Sequence, residues 1–347
     1  MIAVYIILLL ACFVLLARIV DLFFISSLDK ISKDLRLSSD AAGATLMAVG
    51  SSAPELFVAL FAVLKPGEHQ AIGIGSIVGS AIFNLLVIVG VAAYVSKKHT
   101  KLTWQPMFRD LLFYTITVAL LVWFISDGIF TLNEAAIFIS VYVIYVFAAI
   151  YWRKLLPYTD MEYTEIEEVH GEHNKITKPV DWLLRIIFPS PKHYYLVFLI
   201  SIALIAAISY VLVEVAVKSA HLLNIPEAII ALTVLAVGTS IPDLFSSAIV
   251  AKQGRGDMAV SNAIGSNIFD ILVGLGFPFL VIMLISGGSI NAGGDLLSST
   301  IILSISVILL ALLLLFSKWK IGKFTGVILI GTYIVYLIYE IATPWIL

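Results

Sequence analysis

Charged residues and cysteine are both scarce in this 347-residue chain. Asp, Glu, Lys and Arg together make up 13% of the residues, whereas soluble domains contain about 25%. Because 61% of the residues are hydrophobic, a water-soluble enzyme of this size is excluded. The single cysteine, Cys12, excludes an internal disulfide framework. The formal net charge is −2. Nucleic-acid binding requires a basic surface, so this charge does not indicate a nucleic-acid partner.

Apolar runs of membrane-spanning length recur along the whole chain. A helix needs about 20 apolar residues to cross a bilayer, and ten runs meet this requirement. The first run is too long for a cleaved signal peptide, so we expect a retained helix. Residues 155–192 form the only sizeable polar insertion, which is too short to build a stable domain alone. The ten predicted spans are residues 2–25, 41–64, 71–95, 108–126, 132–152, 194–217, 226–250, 258–283, 296–316 and 324–342.

Lys and Arg are distributed very unevenly between the loops. With ten spans the loops alternate between the two sides of the membrane. Eighteen basic residues lie on one side, and only Lys65 and Lys218 lie on the other. Because cytoplasmic loops carry the excess of Lys and Arg, this asymmetry predicts both termini outside and loop 153–193 in the cytoplasm. We expect the host to be the plasma membrane.

Two segments of the first half resemble two segments of the second half. Residues 48–56 and 236–244 are identical at six of nine positions, and residues 79–90 and 265–276 at seven of twelve. Each copy occupies the second and third spans of a five-span half. Because five is odd, the second half enters the membrane in the opposite sense, and interrupted helices from such inverted repeats meet near the midplane to form the substrate site. The predicted fold is an all-α polytopic membrane protein with a first repeat at 1–154, a cytoplasmic loop at 155–192 and a second repeat at 193–347.

Two acidic residues, Glu55 and Asp243, lie inside apolar runs that contain no Lys or Arg. An ionisable group at membrane depth is costly and usually faces a polar cavity or a partner. With no basic partner in these runs, a cation from solution or a proton is the remaining neutraliser. Pro54 and Pro242 lack an N–H, so each leaves the carbonyl four residues earlier without its helical donor. Such carbonyls are tolerated at membrane depth where they line a cavity or bind an ion.

Further oxygen atoms accompany each acid, and none of the nearby groups is a cysteine or a histidine. Hard oxygen ligands suit Na⁺, K⁺, Mg²⁺ and Ca²⁺ rather than zinc or copper. Six to eight oxygens from several helices suit Ca²⁺ better than Mg²⁺, which requires a tight octahedron. The candidates are Ser51, Ser52, Thr239 and Ser240 beside the acids, with Ser80, Asn84, Ser266 and Asp270 on the following spans.

At these residues the chain resembles the cation/calcium exchanger superfamily. Residues 50–55 (GSSAPE) and 238–243 (GTSIPD) match its paired alpha repeats, and each is followed by a G-S-x-x-F-N/D element. The second-half residues, including 253–262 (QGRGDMAVSN), are most similar to the potassium-dependent sodium/calcium exchangers. The resemblance covers nearly the whole chain. The short loop at 155–192 departs from relatives with large calcium-sensing domains, so regulation by such domains is not expected.

The resemblance implies an antiporter that moves Ca²⁺ against Na⁺ by alternating access, without a cofactor or an obligatory protein partner. It implies Glu55 and Asp243 as the central Ca²⁺ ligands, with carbonyl ligands near Ala48 and Ala236. An acid at Asp270 is associated with K⁺ use in the potassium-dependent branch, but potassium-independent relatives also carry one, so K⁺ involvement stays open. The implied flanking Na⁺ or Ca²⁺ ligands are Ser51, Ser52, Ser80, Asn84, Thr239, Ser240, Ser266 and Asp270.

Three other functions compete with this interpretation. A Ca²⁺/H⁺ antiporter would use the same carboxylates as proton carriers, although the many hydroxyl and amide ligands argue for Na⁺. Residues 254–257 (GRGD) fit the pattern of intramembrane aspartyl proteases, in which two aspartates share a proton. Against this, Asp257 lies in a loop beside Lys252 and Arg255. A channel is the third class, but inverted repeats fit a carrier better, and we expect no enzymatic activity.

Overall fold

The computed structural model describes residues 2–35, 48–67, 69–96, 100–157, 177–252, 256–291 and 296–346, and nearly all of them are helical. Within these residues, four π-helical turns (π1–π4) interrupt the α-helices. In chain order, the first half contains α1 (Ile2–Ile19), π1 (Val20–Phe24), α2 (Ile25–Asp34), α3 (Ala48–Ser51), α4 (Ala53–Leu64), α5 (Gln70–Phe83), π2 (Asn84–Ile88), α6 (Val89–Val95), β1 (Thr100–Lys101), α7 (Trp104–Ile125), β2 (Ile129–Phe130) and α8 (Leu132–Leu155). The remainder contains α9 (Lys178–Ile187), α10 (Tyr194–Leu223), α11 (Glu227–Ile230), π3 (Ala231–Leu235), α12 (Ala236–Lys252), α13 (Gly256–Phe269), π4 (Asp270–Leu275), α14 (Gly276–Ser286), β3 (Ile290–Asn291), α15 (Leu297–Phe316), β4 (Lys320–Ile321) and α16 (Lys323–Ile346).

Helices of membrane-crossing length lie close to the positions expected from the sequence. Two shorter apolar helices, Ala53–Leu64 and Glu227–Ile241, lie where the second and seventh spans are predicted. Residues 41–47, at the start of the predicted second span, lie outside the described residues. Within the described part of the chain, eight helices are long and apolar enough to cross a bilayer: Ala3–Leu28, Gln70–Val95, Trp104–Ile125, Leu132–Trp152, Tyr194–Leu223, Ala259–Ser286, Leu297–Phe316 and Lys323–Ala342.

The helix formed by α5, π2 and α6 lies at the centre of the molecule. In its most apolar stretch 94% of the residues are buried, against 22% for Leu132–Trp152 at the periphery. Close backbone contact makes this possible, because a Cβ added at Gly79 would lie 2.4 Å from the carbonyl oxygen of Leu232 in π3. Small residues allow such an approach between membrane helices. Gly79 therefore permits the close contact between α5 and π3.

Two short antiparallel strand pairs connect distant parts of the chain. β1 pairs with β4, with Thr100 opposite Ile321, and β2 pairs with β3, with Ile129 opposite Asn291. Each pair joins one strand that precedes residue 155 to one that follows residue 193. The two parts of the chain are therefore linked through their loops as well as through their helices.

The described part of the polar insertion contains one helix that the sequence analysis does not predict, α9. Its Asp181 carboxylate accepts two hydrogen bonds from the guanidinium group of Arg18, at 2.6 and 2.8 Å, in a bidentate arrangement. Phe188, just beyond the end of α9, stacks on Phe23 with ring centroids 3.7 Å apart. These contacts hold α9 against the first membrane helix. The acidic stretch at 160–172 lies outside the described residues.

Arg109 occupies an environment that differs from the sequence-based expectation. The sequence analysis counts it among the eighteen basic loop residues, at the edge of the predicted span 108–126, but α7 includes it and its side chain is fully buried. Its Nε donates to Asp110 at 2.8 Å, and the same carboxylate accepts from the hydroxyls of Tyr145 at 3.2 Å and Ser261 at 2.9 Å. Buried charges persist when they are paired and hydrogen-bonded in this way. Arg109 therefore belongs to the interior and not to the basic loop surface.

Candidate ion-binding site

The first motif interrupts a helix at its polar residues. α3 and α4 are separated by Ser52, whose φ and ψ are −92° and 6°. Pro54 lies in the first turn of α4, where its missing N–H is tolerated, and the carbonyl of Gly50 loses the donor that an unbroken helix would supply. Glu55 follows in the same turn and is only 1% exposed. The interruption expected in the first half is confirmed.

The second motif is built differently. α12 continues without a break through Pro242, and the irregularity lies one turn earlier, in π3. The hydroxyl of Thr239 donates to the carbonyl of Leu235 at 3.0 Å and ties the start of α12 to π3. A break beside Asp243, which the resemblance between the motifs predicted, is not observed. The extra residue of the π-helical turn changes the hydrogen-bond pattern before the proline is reached.

Each of the two following helices widens into a π-helical turn at its polar motif residue. π2 begins at Asn84 and π4 begins at Asp270, which are equivalent positions in the aligned segments. Such turns are rare and occur frequently at functional sites. Asn84 and Asp270 are each 1% exposed, so both polar groups lie in the interior.

Hydroxyl groups from the two halves meet directly. The Ser80 and Ser240 oxygens are 2.8 Å apart, and the Ser240 hydroxyl also donates to Oε1 of Glu55 at 3.3 Å. The Ser51 and Ser266 oxygens are 3.0 Å apart. Five of the predicted ligand residues therefore form two buried hydrogen-bonded groups, and each group contains residues from both halves of the chain.

Among the described residues, five of the ten buried side-chain oxygens without a hydrogen-bond partner belong to the predicted ligand residues, which together we call the oxygen cluster. A buried acceptor without a donor costs free energy, so each one requires an explanation. Here the unpaired atoms are all oxygens, which are the ligand type of Na⁺, K⁺ and Ca²⁺. They are Oγ of Ser52, Oε2 of Glu55, Oδ1 of Asn84, and Oδ1 and Oδ2 of Asp270. The cluster is suited to a cation as transported substrate.

Two of the three acidic groups of the cluster, Glu55 and Asp270, lack a fixed positive neighbour in the described part of the chain. Glu55, Asp243 and Asp270 also lie close enough to repel one another. Across the same part of the chain, no three His, Cys, Asp or Glu side chains converge tightly enough to hold a metal on their own. A cation here would therefore need the neutral hydroxyl, amide and carbonyl oxygens as well as the acids.

The two predicted carbonyl positions are buried beside the hydroxyl groups. Ala48 and Ala236 are both fully buried. The Ala48 carbonyl accepts from the N–H of Ser52 at 3.0 Å, and the Ala236 carbonyl accepts from the Thr239 hydroxyl at 3.5 Å. The Ala48 carbonyl also accepts from the Ser51 hydroxyl at 3.4 Å, so each of the two carbonyls lies next to a motif hydroxyl group. All twelve predicted ligand positions are thus buried within the region of the two motifs.

The structure adds two polar residues that the sequence analysis did not single out. Asn267 accepts from Nδ2 of Asn84 at 3.0 Å, and its own Nδ2 donates to the hydroxyl oxygen of Tyr114 at 2.9 Å. Both residues are fully buried. The alignment of the repeats could have indicated Asn267, because it occupies the position at which the first half has the apolar Ala81. The contribution of Tyr114 depends on α7 and leaves no such signal.

The fold and the buried oxygen cluster together define a membrane carrier for hard cations. The sodium/calcium exchanger protein family matches residues 4–151 and 193–342, so the chain belongs to this family. The human sodium/potassium/calcium exchanger 5 is 30% identical over 413 aligned residues, covering 96% of this chain and 82% of the relative. This chain is accordingly an integral membrane antiporter and not an enzyme.

Solved structures resemble the fold over nearly its whole length. A structure of the sodium–calcium exchanger NCX_Mj, soaked with Na⁺ and Sr²⁺, aligns with a TM-score of 0.60 and 26% identity, covering 96% of this chain and 98% of the other. The H⁺/Ca²⁺ exchanger CAX aligns with a TM-score of 0.70 and 14% identity, covering 95% and 79%. At 14% identity the second likeness shows the fold alone.

Proposed function

We propose that this chain exchanges Ca²⁺ against Na⁺ by alternating access, using the buried oxygen cluster as the shared site. The observation that carries the proposal is the set of five buried oxygen atoms without donors, drawn from both halves of the chain. Unpaired carboxylate and amide oxygens can bind a cation, whereas they would repel an anion. One cluster can serve both ions in turn because several Na⁺ balance the same negative charge as Ca²⁺ does.

The central positions of the proposed site belong to Glu55 and Asp243. They are equivalent residues in the two repeats and supply the formal charge that a divalent ion requires. Around them the neutral groups complete the six to eight oxygens typical of Ca²⁺ or divide into separate Na⁺ sites. The proposed flanking ligands are Ser51, Ser52, Ser80, Asn84, Thr239, Ser240, Ser266 and Asp270, with the carbonyls of Ala48 and Ala236.

We further propose ten membrane spans arranged as two inverted five-helix repeats. The two shorter apolar helices add to the eight long ones at the predicted positions, and the family matches the chain in two segments of similar length. The strand pairs support the inversion. In the repeat, β1 is equivalent to β3 and β2 to β4, so the β1–β4 and β2–β3 pairs are equivalent contacts. The repeats are 1–154 and 193–347, joined by the loop 155–192.

The proposed orientation places both termini outside and loop 153–193 in the cytoplasm of a cell bounded by the plasma membrane. Its support is the 18-to-two distribution of Lys and Arg between the loops. The burial of Arg109 removes one residue from the basic side and leaves the asymmetry intact.

Asp270 connects the site to a possible third ion. If Glu55, Asp243 and Asp270 all ionise, one Ca²⁺ leaves a net charge of −1 in the interior, which is costly. A K⁺ bound alongside, a proton on Asp270, or access of Asp270 to water would each relieve it. The relative named above is a sodium/potassium/calcium exchanger, which favours the first solution. A Ca²⁺/H⁺ antiporter remains the alternative, with the same carboxylates as proton carriers.

Uptake of ⁴⁵Ca²⁺ into proteoliposomes tests these proposals directly. Purified protein is reconstituted with Na⁺ inside, and uptake is started by dilution into Na⁺-free medium with or without K⁺. We expect uptake that needs the outward Na⁺ gradient and saturates with Ca²⁺. Uptake driven by a pH gradient without Na⁺ would favour the Ca²⁺/H⁺ alternative. Ca²⁺ flux that needs no counter-ion would instead identify a channel.

A further inference from the structure

We propose that Asn267 is a positioning residue that orients the side-chain amide of Asn84, so that its oxygen and not its NH₂ group faces the cation site. The inference rests on the proposed function, because it assigns a role within the same site. It begins from Oδ1 of Asn84, which is buried without a donor, while Nδ2 of the same amide donates to Oδ1 of Asn267 at 3.0 Å.

The orientation of Asn267 is itself fixed by an atom that can only accept. Its Nδ2 donates to the main-chain carbonyl of Ala81 at 3.0 Å and to the hydroxyl oxygen of Tyr114 at 2.9 Å. Because a carbonyl oxygen carries no proton, the NH₂ end of Asn267 has to face Ala81. The oxygen end then faces Asn84 and accepts from its NH₂ group. The Asn84 oxygen is left as the free end of the amide.

The orientation of the Asn84 amide matters because the two ends of an amide have opposite effects on a cation. The carbonyl end is a ligand, whereas the NH₂ end presents protons and repels positive charge. A half-turn about the last side-chain bond exchanges the two ends at nearly constant shape. Without a fixed partner, Asn84 would present the wrong end in part of the molecules. Asn267, which is fully buried, holds the Asn84 amide in one of its two orientations.

The two repeats differ in the way this argument requires. The position equivalent to Asn84 in the second half is Asp270, and the position equivalent to Asn267 in the first half is Ala81. A carboxylate has an oxygen at both ends and needs no orienting partner, and both oxygens of Asp270 are indeed without donors. The amide that can be inverted thus has an asparagine partner, whereas the first-half position equivalent to that partner is an alanine.

The variant Asn267→Ala tests the inference through ion binding, separately from transport. Purified protein is titrated with Ca²⁺ and, in a second series, with Na⁺, and the thermal unfolding midpoint is recorded at each concentration, since a bound ion raises it. We expect the half-saturating concentration of at least one cation to rise about 10-fold or more, as when partners that orient metal ligands are removed. In proteoliposomes the same rise should appear in half-saturation, with the maximal rate retained. Asn262→Ala, on the same helix, should match the wild type.

The double variant Asn84→Asp with Asn267→Ala distinguishes positioning from a general loss of packing. A carboxylate at position 84 presents an oxygen in either orientation, so the double variant should recover most of the lost affinity. If Asn267→Ala does not fold, Asn267→Ser replaces it, because the serine hydroxyl is too short to reach Asn84. Unchanged affinity in the single variant, or no recovery in the double variant, would overturn the inference.

The binding and transport assays also separate this inference from the proposed function. Cation binding by the wild type without Na⁺-driven Ca²⁺ exchange would refute the proposed function and leave the role of Asn267 supported by the titrations. A wild type that no cation stabilises would overturn both.

Discussion

Replacing Gly79 by alanine should loosen the contact between the two halves at the site. A Cβ at this position would lie 2.4 Å from the Leu232 carbonyl oxygen, 2.7 Å from Cβ of Ala236 and 2.8 Å from Cα of Leu232. None of these is the far end of a flexible side chain, so α5 has to move away from π3 and α12. Overpacking of this kind costs about 1–3 kcal/mol. A glycine-to-alanine change in a helix otherwise contributes about 1 kcal/mol of stability.

Gly331→Ala provides the matched control, because nothing lies within 4 Å of a Cβ added to that helical glycine. The gain in helix propensity is common to both variants and cancels, so the difference between them isolates the steric cost. We expect thermal unfolding, followed by tryptophan fluorescence in detergent, to show Gly79→Ala as the less stable variant by about 1–3 kcal/mol. Exchange should also fall, because moving α5 separates the Ser80 and Ser240 oxygens, now 2.8 Å apart. Equal stability of the two variants with undiminished exchange by Gly79→Ala would refute the reasoning.

Three further predictions concern charge and topology. Glu55→Gln and Asp243→Asn should each reduce Ca²⁺ exchange to background, because removing one charge about 4 Å from a divalent ion costs roughly 8 kcal/mol at an effective dielectric constant of 20; near-normal ⁴⁵Ca²⁺ flux in either variant would contradict their central role. Thr164→Cys in a Cys12→Ala background should react with an impermeant thiol reagent in inverted vesicles only, and labelling of intact cells would reverse the proposed orientation. Asp270→Asn should retain Ca²⁺ binding but change the K⁺ or pH dependence of exchange, whereas wild-type responses to both would make Asp270 a spectator.

The membrane helices could be predicted from the sequence because their signals are local. The predicted span 132–152 compares with α8 at Leu132–Leu155, and 296–316 compares with α15 at Leu297–Phe316. Apolar length decides such spans, and the ends carry local markers. At the start of α8, Thr131 and Glu134 exchange hydrogen bonds in a capping box.

The polar interior of the site could be predicted only in part. Glu55 and Asp243 could be identified because they are acids within apolar runs, and the alignment of the repeats shows that they are equivalent. The continuous helix through Pro242 and the role of Asn267 depend on π-helical turns and on partners far away in the chain. The burial of Arg109 likewise requires Asp110, together with groups from α8 and α13, to be brought around it. No local pattern encodes such contacts.

The two strand pairs bear on how such a chain could have arisen. Under the inverted repeat, β1 and β3 are equivalent, as are β2 and β4, so the β1–β4 and β2–β3 pairs are the same contact occurring twice. Were the halves two identical polypeptides, this contact would be an isologous interface around a twofold axis, with each chain giving and receiving the same strands. In the proposed inverted-repeat arrangement, the protein has the form of a dimer of antiparallel subunits that became covalently joined through residues 155–192. Joining the subunits released the two copies from identity, and the difference between Ala81 and Asn267 is a divergence that a symmetric dimer could not have made.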